Sequence, residues 1–211
     1  MMSTFHKLSF ALLAVVVLGM YAPAAKADVC GAVVGNLVVN CGFESGNLAG
    51  WTQSGNTTNT GVGNFGPGPH SGNFDAFAGP VGSVGFLSQT IATNPGTAYS
   101  ITFFLRNNNG GSPNSFSASF GGTNLLTLTN SPAFAYTQFT FSVVATGASS
   151  LLQFGFRHDA SEWFLDDVIV TPASVPEPAT MLLLGSGLLG LGGGVRFARK
   201  KRPKTDPDTV T

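Results

Sequence analysis

The sequence contains very little charge and very little cysteine. Only 9% of its 211 residues are charged, two are cysteine, and the formal net charge is zero. So low a charge content excludes a highly charged disordered chain and a heptad coiled coil, and the lack of a basic excess excludes an ordinary nucleic-acid partner. From Asp28 to Val175 the chain has no lysine and carries seven acidic residues against two arginines, Arg106 and Arg157. The centre of the chain is therefore acidic, although the whole is neutral.

The first 27 residues have the layout of a secretory signal peptide. The stretch from Leu8 to Met20 has no charge, Lys7 precedes it, and the small-residue sequence Ala25-Lys26-Ala27 follows it. These parts predict export and cleavage after Ala27, so that the mature chain begins near Asp28 outside the cytoplasm. An uncleaved first membrane helix is the alternative, but the apolar stretch is short for a bilayer span.

The two cysteines, Cys30 and Cys41, both lie on the mature side of the predicted cleavage site. Because export brings them into an oxidising compartment, we expect them to form a disulfide bond. Closing a loop of this length stabilises a fold by about 3 kcal/mol on the chain-entropy model. Two buried free thiols are the alternative.

A second charge-free stretch, from Met181 to Val195, lies near the C-terminus and is followed by a cluster of arginines and lysines. With its flanking residues it predicts a transmembrane helix over about residues 179–198, because about 20 residues cross the hydrocarbon. Basic residues stay on the cytoplasmic side, which places the polar tail, residues 203–211, in the cytoplasm.

The sequence Pro176-Glu177-Pro178, followed by a glycine-rich apolar span and a basic cluster, resembles the PEP-CTERM sorting signal of exported proteins in Gram-negative bacteria. The resemblance covers residues 174–202. It implies that Pro176, Glu177 and Pro178 are recognised by an exosortase, a membrane-embedded transpeptidase-like enzyme of species that make extracellular polysaccharide. It also implies a temporary stay in the inner membrane. The polar tail departs from the family pattern, and a permanent C-terminal anchor is the alternative.

The region between the two ends, residues 28–173, predicts only β-strands. Short apolar runs alternate with clusters of glycine, asparagine, serine and proline, and no segment has a helical period. Tyr99, Ile101, Phe103 and Leu105 recur at every second position, as a half-buried strand requires. So many short strands in one domain predict a sandwich. The predicted strands are residues 37–40, 51–54, 74–78, 85–91, 99–106, 115–120, 125–129, 136–144, 151–157 and 163–170.

Two sequences near the ends of this region resemble the opening and closing strands of galactose-binding-like jelly rolls, which include many carbohydrate-binding modules. The first is Leu37-Val38-Val39-Asn40-Cys41-Gly42-Phe43-Glu44 with the following Gly50-Trp51, and the second is Phe164-Leu165-Asp166-Asp167-Val168. The resemblance implies a jelly-roll β-sandwich of two antiparallel sheets, with the first and last strands close together. It also implies a structural calcium ion between N-terminal and C-terminal acids.

The candidate calcium ligands are Glu44, Asp166 and Asp167. Because Asp166 and Asp167 are consecutive on a strand, we expect their side chains to point to opposite faces, one of them into the sandwich. A buried carboxylate needs a partner, and calcium takes about six to eight oxygens. A salt bridge to Arg106 or Arg157 is the alternative, and so is a strand-end acid in water. No other cofactor is expected.

No motif predicts catalysis. Residues 61–66 have the letters of a dinucleotide-binding loop, but Pro67 and Pro69 prevent the helix that such a loop opens. The central region has no G-x-S-x-G nucleophile elbow and no histidine pair at zinc spacing. We therefore predict a protein that is not an enzyme and has no catalytic residues. The alternative is a glycoside hydrolase in which Asp159 or Glu162 pairs with Asp166 or Asp167.

The segment before the last predicted strand brings a base, a histidine and a tryptophan together. Arg157, His158 and Trp163 are the candidate glycan contacts, because an aromatic platform beside polar side chains suits a sugar. The alternative is a tight connection in which Trp163 covers the core. The sequence thus predicts an exported, non-enzymatic protein of the cell surface or extracellular matrix, with extracellular polysaccharide as a candidate partner. A carbohydrate-binding module with a defined glycan ligand is the alternative.

Overall fold

The computed structural model describes residues 26–66 and 68–173. The sorting motif, the predicted transmembrane span, the polar tail and all but the last two residues of the predicted signal peptide lie outside the described residues. Among the residues described, no helix is long and apolar enough to cross a membrane.

The described chain folds into two five-stranded antiparallel sheets, so the predicted all-β jelly-roll sandwich is confirmed. The first sheet has the strand order β1-β4-β9-β6-β7 and the second has the order β2-β3-β10-β5-β8. The strands are β1 Thr52–Gly55, β2 Thr60–Gly63, β3 Asp75–Ala78, β4 Gly85–Ala92, β5 Ala98–Asn107, β6 Asn114–Phe120, β7 Thr123–Thr129, β8 Phe134–Val144, β9 Ser149–His158 and β10 Trp163–Pro172.

The structure differs from the sequence prediction at two short segments. Residues 37–40 are not a strand: Leu37 N donates to Val170 O at 2.9 Å, but Asn40 has a φ of 52°, which ends the extended backbone. Strand β2 escapes the prediction because its sequence, Thr-Gly-Val-Gly, offers a single apolar residue. The other nine predicted strands correspond to strands of the structure.

Alternating side chains of the long strands build the core between the sheets. Tyr99, Ile101, Phe103 and Leu105 of β5 are all buried, as their spacing predicts. The ring of Phe103 meets that of Phe154, from the opposite sheet, edge-on at a centroid distance of 5.2 Å. Each such side chain contributes about 1.5–3 kcal/mol through burial.

The N-terminal segment is fastened to the last strand. Cys30 and Cys41 form the predicted disulfide bond, and both are buried. Cys30 N donates to Asp167 Oδ1 at 3.1 Å, and Leu37 N donates to Val170 O at 2.9 Å. The beginning and the end of the domain therefore lie side by side, as the jelly-roll resemblance implies.

Candidate functional site

An aromatic-lined cleft lies on the outer face of the second sheet. Phe77 of β3 pairs with Phe164 of β10, and their chain neighbours point into the core, so these two rings point away from it. Together with Phe65, Asn59 and Glu162 they line a cleft of about 390 Å³. This volume is in the range of small-molecule sites.

Phe65 forms the exposed wall of the cleft. It is 56% exposed, and its ring meets that of Phe77 edge-on at a centroid distance of 5.3 Å. Phe164 lies deeper, at 3% exposure, with Arg106 Cζ 5.1 Å from its ring centroid. Gly61 leaves the space that the Phe77 ring occupies, because a Cβ at position 61 would lie 2.9 Å from Phe77 Cζ.

Polar side chains form the rim of the cleft. Glu162 Oε1 accepts a hydrogen bond from Asn59 Nδ2 at 3.3 Å, and its Oε2 accepts one from Ser161 Oγ at 3.4 Å. Asn108 Nδ2 donates to Ser161 Oγ at 3.3 Å. These bonds hold the Glu162 carboxylate at the rim, and each of its oxygens keeps acceptor capacity for a ligand.

A second cleft, of about 400 Å³, lies where β5 ends and β8 begins. Arg106 lines this cleft and also packs against Phe164 of the first one. Its Nη2 donates to Asn108 Oδ1 at 2.5 Å, which holds the guanidinium between the two clefts. The second cleft is lined by Arg106, Asn107, Asn108, Ala133, Phe134 and Ala135.

The first cleft combines the two kinds of contact that a sugar needs. A sugar ring has an apolar C–H face and several hydroxyl groups at its edge. The rings of Phe65 and Phe77 offer apolar stacking surface, and the Glu162 carboxylate and Asn59 amide offer hydrogen bonds. The arrangement can therefore hold a flat ligand that is apolar on one side and rich in hydroxyl groups around it.

Both carboxylates of the Asp166-Asp167 pair bind the same loop. Asp166 Oδ2 accepts hydrogen bonds from His70 N at 2.9 Å and Ser71 N at 3.1 Å, and Asp167 Oδ1 accepts one from Ser71 Oγ at 2.8 Å. The prediction that they point to opposite faces is wrong, because the register of β5 and β10 shifts between Asp166 and Ile169 and Asp167 has a φ of 47°. This bulge turns both side chains toward residues 70–71.

Burial raises the pKa of two carboxyl groups beneath this loop. The pKa of Asp166 rises to about 8, mainly through burial and then through the charge of Asp167, although hydrogen bonds from Ser71 N and Asp167 N oppose the rise. The pKa of Asp75 rises to about 6 through burial, against the hydrogen bond from Tyr136. Both groups therefore hold a proton at a higher pH than an exposed aspartate.

Glu44, the third candidate calcium ligand, also binds this loop. Its carboxylate accepts hydrogen bonds from Asn73 N at 2.8 Å and Phe74 N at 2.9 Å. The carboxylate oxygens of Glu44, Asp166 and Asp167 thus face N–H and O–H donors of the protein, and this donor set does not fit a calcium ion, which needs free oxygen lone pairs. The calcium site stays an untested prediction, and these hydrogen bonds argue against it.

The described residues contain one trio of His, Cys, Asp or Glu whose ligand atoms all lie within 4.8 Å of one another. It consists of Asp28, Cys30 and Cys41. Both of its sulfur atoms are joined in the disulfide bond, so neither is a thiolate that could bind a metal.

The candidate glycan contacts of the sequence analysis lie away from the cleft lining. His158 and Trp163 are completely buried. His158 Nε2 lies 2.6 Å from Asn109 O, and Trp163 Nε1 donates to Arg157 O at 3.1 Å. Arg157 Nε forms an ion pair with Asp159 Oδ1 at 2.9 Å. His158 and Trp163 therefore pack inside the domain and stabilise the connection between β9 and β10 instead of facing a ligand. This agrees with the alternative that Trp163 covers the core.

The family model of the carbohydrate binding domain matches residues 35–162, more than half of the chain. The chain belongs to this family. The PEP-CTERM protein-sorting motif matches residues 174–200, which confirms the resemblance of the C-terminal segment to that sorting signal. The two matches together indicate an exported surface protein with a carbohydrate binding domain. No curated protein matches the chain.

Solved structures of other proteins share the fold of the carbohydrate binding domain. A CBM61 module in complex with β-1,4-galactotriose is 17% identical, with a TM-score of 0.51 over 65% of this chain and 98% of its own. An arabinose-bound GH51 α-L-arabinofuranosidase is 15% identical, with a TM-score of 0.53 over 69% of this chain and 27% of its own. The enzymatically active domain of bacteriophage CBA120 tailspike protein 4 is 17% identical, with a TM-score of 0.52 over 65% and 21%.

The coverage of these structures differs, and their identities are low. The chain spans nearly all of the CBM61 module but only 27% of the arabinofuranosidase and 21% of the tailspike domain. Similarity at this level of identity shows the fold alone.

Sequence reasoning missed the phenylalanines that line the cleft of the carbohydrate binding domain. Phe77 and Phe164 each alternate with core residues, so their outward direction follows from the period of two. Their proximity depends on the pairing of β3 with β10, which are distant in sequence. Phe65 lies in a loop, where no periodicity applies.

Proposed function

We propose that this protein is exported and acts at the cell surface or in the extracellular matrix as a non-enzymatic, glycan-binding component. In this proposal the signal peptide is removed after Ala27, and residues 179–198 hold the chain in the inner membrane for a time. An exosortase-like enzyme then recognises Pro176-Glu177-Pro178 and releases the mature protein. The match to the sorting motif over residues 174–200 supports this route.

The cleft on the second sheet is the proposed glycan site. The observation that carries this proposal is that Phe65, Phe77 and Phe164 line a cleft of about 390 Å³ with Glu162 and Asn59 at its rim. In the bound state the C–H face of a sugar packs on the exposed ring of Phe65, and sugar hydroxyls donate to Glu162. The family match supports a carbohydrate ligand, and extracellular polysaccharide is the partner that fits an exported protein.

Binding without turnover fits the distribution of acidic residues. Hydrolysis of a glycosidic bond needs two carboxyl groups placed on either side of it. Of the lining residues that the structure describes in the first cleft, Glu162 alone has a carboxyl group, while Asp75 and Asp166 are fully buried. Asp159 is held in an ion pair by Arg157. These positions support a binding role. Hydrolysis of a glycan that disappears on substitution of Asp159 or Glu162 would contradict it.

A glycan array tests the binding site. The exported protein is compared with its Phe65→Ala and Val144→Ala variants, the latter being the control because Val144 is 57% exposed on β8. We expect Phe65→Ala to weaken glycan binding about tenfold through loss of aromatic stacking. Melting temperatures should stay close together, because both side chains are largely exposed. The proposal is overturned if no glycan is bound, or if the two variants bind alike.

Mass spectrometry of the mature C-terminus tests the sorting route. We expect the exported protein to end close to Glu177, and a Glu177→Ala variant to keep its full length and remain in the membrane fraction. If the wild-type protein is recovered in the membrane with Thr211 intact, the chain is permanently anchored and the proposed processing is wrong.

A further inference from the structure

Among the described residues, the cleft lining contains one acidic side chain and no basic one. Glu162 stands at the rim, and the other lining residues are one asparagine and three phenylalanines. Hydrogen bonds from Asn59 and Ser161 fix the direction of the Glu162 carboxylate. A ligand in the cleft therefore meets a fixed acidic group beside uncharged surfaces.

The lysine and arginines of the described residues are engaged outside this lining. Lys26 Nζ donates to Pro69 O at 3.0 Å. Arg157 donates to both oxygens of Asp159, each at 2.9 Å. Within residues 26–66 and 68–173, Arg106 is the remaining member of this group of one lysine and two arginines.

Arg106 lies nearest to the cleft but is covered. Its guanidinium packs over the ring of Phe164 and donates to Asn108. Its Nη1 is buried, and a Cβ on Gly66 would lie 3.6 Å from that atom, so the loop backbone lies over it. Among the described residues, Arg106 is not part of the first cleft's lining, so Glu162 is the charged group that a ligand there meets directly.

On the basis of the proposed glycan site, we infer that Glu162 is a specificity-determining residue that excludes negatively charged glycans from the cleft. A carboxylate accepts hydrogen bonds from sugar hydroxyls, and these charge-assisted bonds are stronger than neutral ones. The same carboxylate repels the carboxylate, sulfate or phosphate of an acidic glycan, and such like-charge contacts reject the wrong partner. The ligand is therefore an uncharged polysaccharide, and chains of uronic acids are rejected.

The repulsion acts locally. Charges elsewhere on this acidic domain also disfavour an anion, but their effect is screened beyond about 8 Å at physiological ionic strength. Asp159 provides the matched comparison, because it is an acidic residue three positions before Glu162 that lies outside the cleft lining and is paired with Arg157. Removing either carboxylate changes the net charge of the protein equally, but only the removal of the Glu162 carboxylate changes the cleft lining.

Isothermal titration of the exported protein tests the inference. The probes are neutral oligosaccharides of galactan, xylan and β-1,3-glucan, and uronate oligosaccharides of polygalacturonate and alginate. We expect the best neutral probe to bind at least about tenfold more tightly than any uronate, since that ratio corresponds to a single unfavourable charge contact. Glu162→Gln should weaken the neutral probe about threefold and reduce the preference over uronates to about threefold. Asp159→Asn should leave the preference unchanged.

The outcomes separate the two proposals. If uronates bind the wild-type protein as tightly as neutral chains, and Phe65→Ala weakens both, the cleft is a glycan site but the role of Glu162 is wrong. If Glu162→Gln and Asp159→Asn change the preference equally, net charge and not Glu162 sets the specificity. If none of the probes binds and the glycan array is also blank, the glycan site itself is wrong.

Discussion

Tyr136 of β8 donates its hydroxyl hydrogen to Asp75 Oδ2 of β3 at 2.7 Å, although β10 and β5 lie between these strands. Asp75 is fully buried, and its Oδ1 has no hydrogen-bond partner among the described residues. The hydrogen bond therefore offsets part of the free-energy cost of burying the Asp75 carboxylate. The part that remains raises the pKa of Asp75 to about 6.

The raised pKa of Asp75 predicts that the domain is more stable in mild acid than at neutral pH. An aspartate in the unfolded chain ionises near its ordinary pKa of 3.8, whereas the folded one keeps its proton up to about 6. Stability is therefore complete below the unfolded pKa and is lost as the pH rises through the folded one. Asp166, whose pKa is about 8, also makes the domain less stable as the pH rises.

Urea unfolding between pH 5 and pH 8 measures this effect. The free energy of unfolding should decrease over this pH range, and we expect Asp75→Asn to make that decrease about 1 kcal/mol smaller. Asparagine keeps an acceptor for Tyr136 and does not titrate. Asp159→Asn is the control: the hydrogen bond from Arg157 lowers the pKa of Asp159 to about 2, so its titration is complete below this range. A wild-type free energy of unfolding that stays constant or increases with pH would contradict the prediction.

Gly61→Ala is expected to weaken glycan binding without unfolding the domain. The new Cβ would lie 2.9 Å from Phe77 Cζ and displace the ring that supports Phe65. We expect a threefold to tenfold loss of affinity, roughly 1 kcal/mol, with a similar change in the free energy of unfolding at most. Gly147→Ala is the control, because its Cβ would meet nothing closer than 3.5 Å. Equal affinities of the two variants would show that the position of Phe77 does not matter for binding.

Loss of the disulfide bond is expected to destabilise the domain by about 3 kcal/mol, because the unfolded chain gains conformational entropy. The measurement is urea unfolding of the Cys30→Ala/Cys41→Ala double variant beside the oxidised wild-type protein. Wild-type protein treated with a reductant should unfold like the variant. If reduction leaves the midpoint unchanged, the bond does not stabilise the fold.

Thermal melting with calcium and with chelator tests the predicted calcium site. The hydrogen bonds that occupy Glu44, Asp166 and Asp167 lead us to expect equal melting temperatures in both conditions. Glu44→Ala should lower the melting temperature in both, because it frees Asn73 N and Phe74 N. A calcium-dependent rise in the wild-type protein that Glu44→Ala abolishes would establish the metal site.

The fold follows from the sequence wherever a strand carries a clear period of two. Phe103 and its neighbours in β5 show the buried face directly, and the order of strands and turns is enough for a sandwich. The pattern fails at β2, whose glycines give no apolar period, and at residues 37–40, where apolar side chains occupy turns. In both places the contact with another part of the chain decides the conformation.

The candidate site is less accessible to sequence reasoning, because it depends on strand pairing. The cluster of Arg157, His158 and Trp163 is conspicuous in the sequence, yet His158 and Trp163 are completely buried. The cleft instead brings together Phe65 and Glu162, which are nearly a hundred positions apart. Likewise the bulge at Asp167 overrides the alternation that separates consecutive strand residues.

Strand β10 is the last strand of the domain, yet it occupies the centre of the second sheet between β3 and β5. During synthesis the strands on both sides of that sheet are made before the strand that joins them. Pairings this distant in sequence form slowly, because long loops must close first. The second sheet therefore cannot be completed until nearly all of residues 28–173 have been made, so the last strand of the domain is also the one that ends its folding.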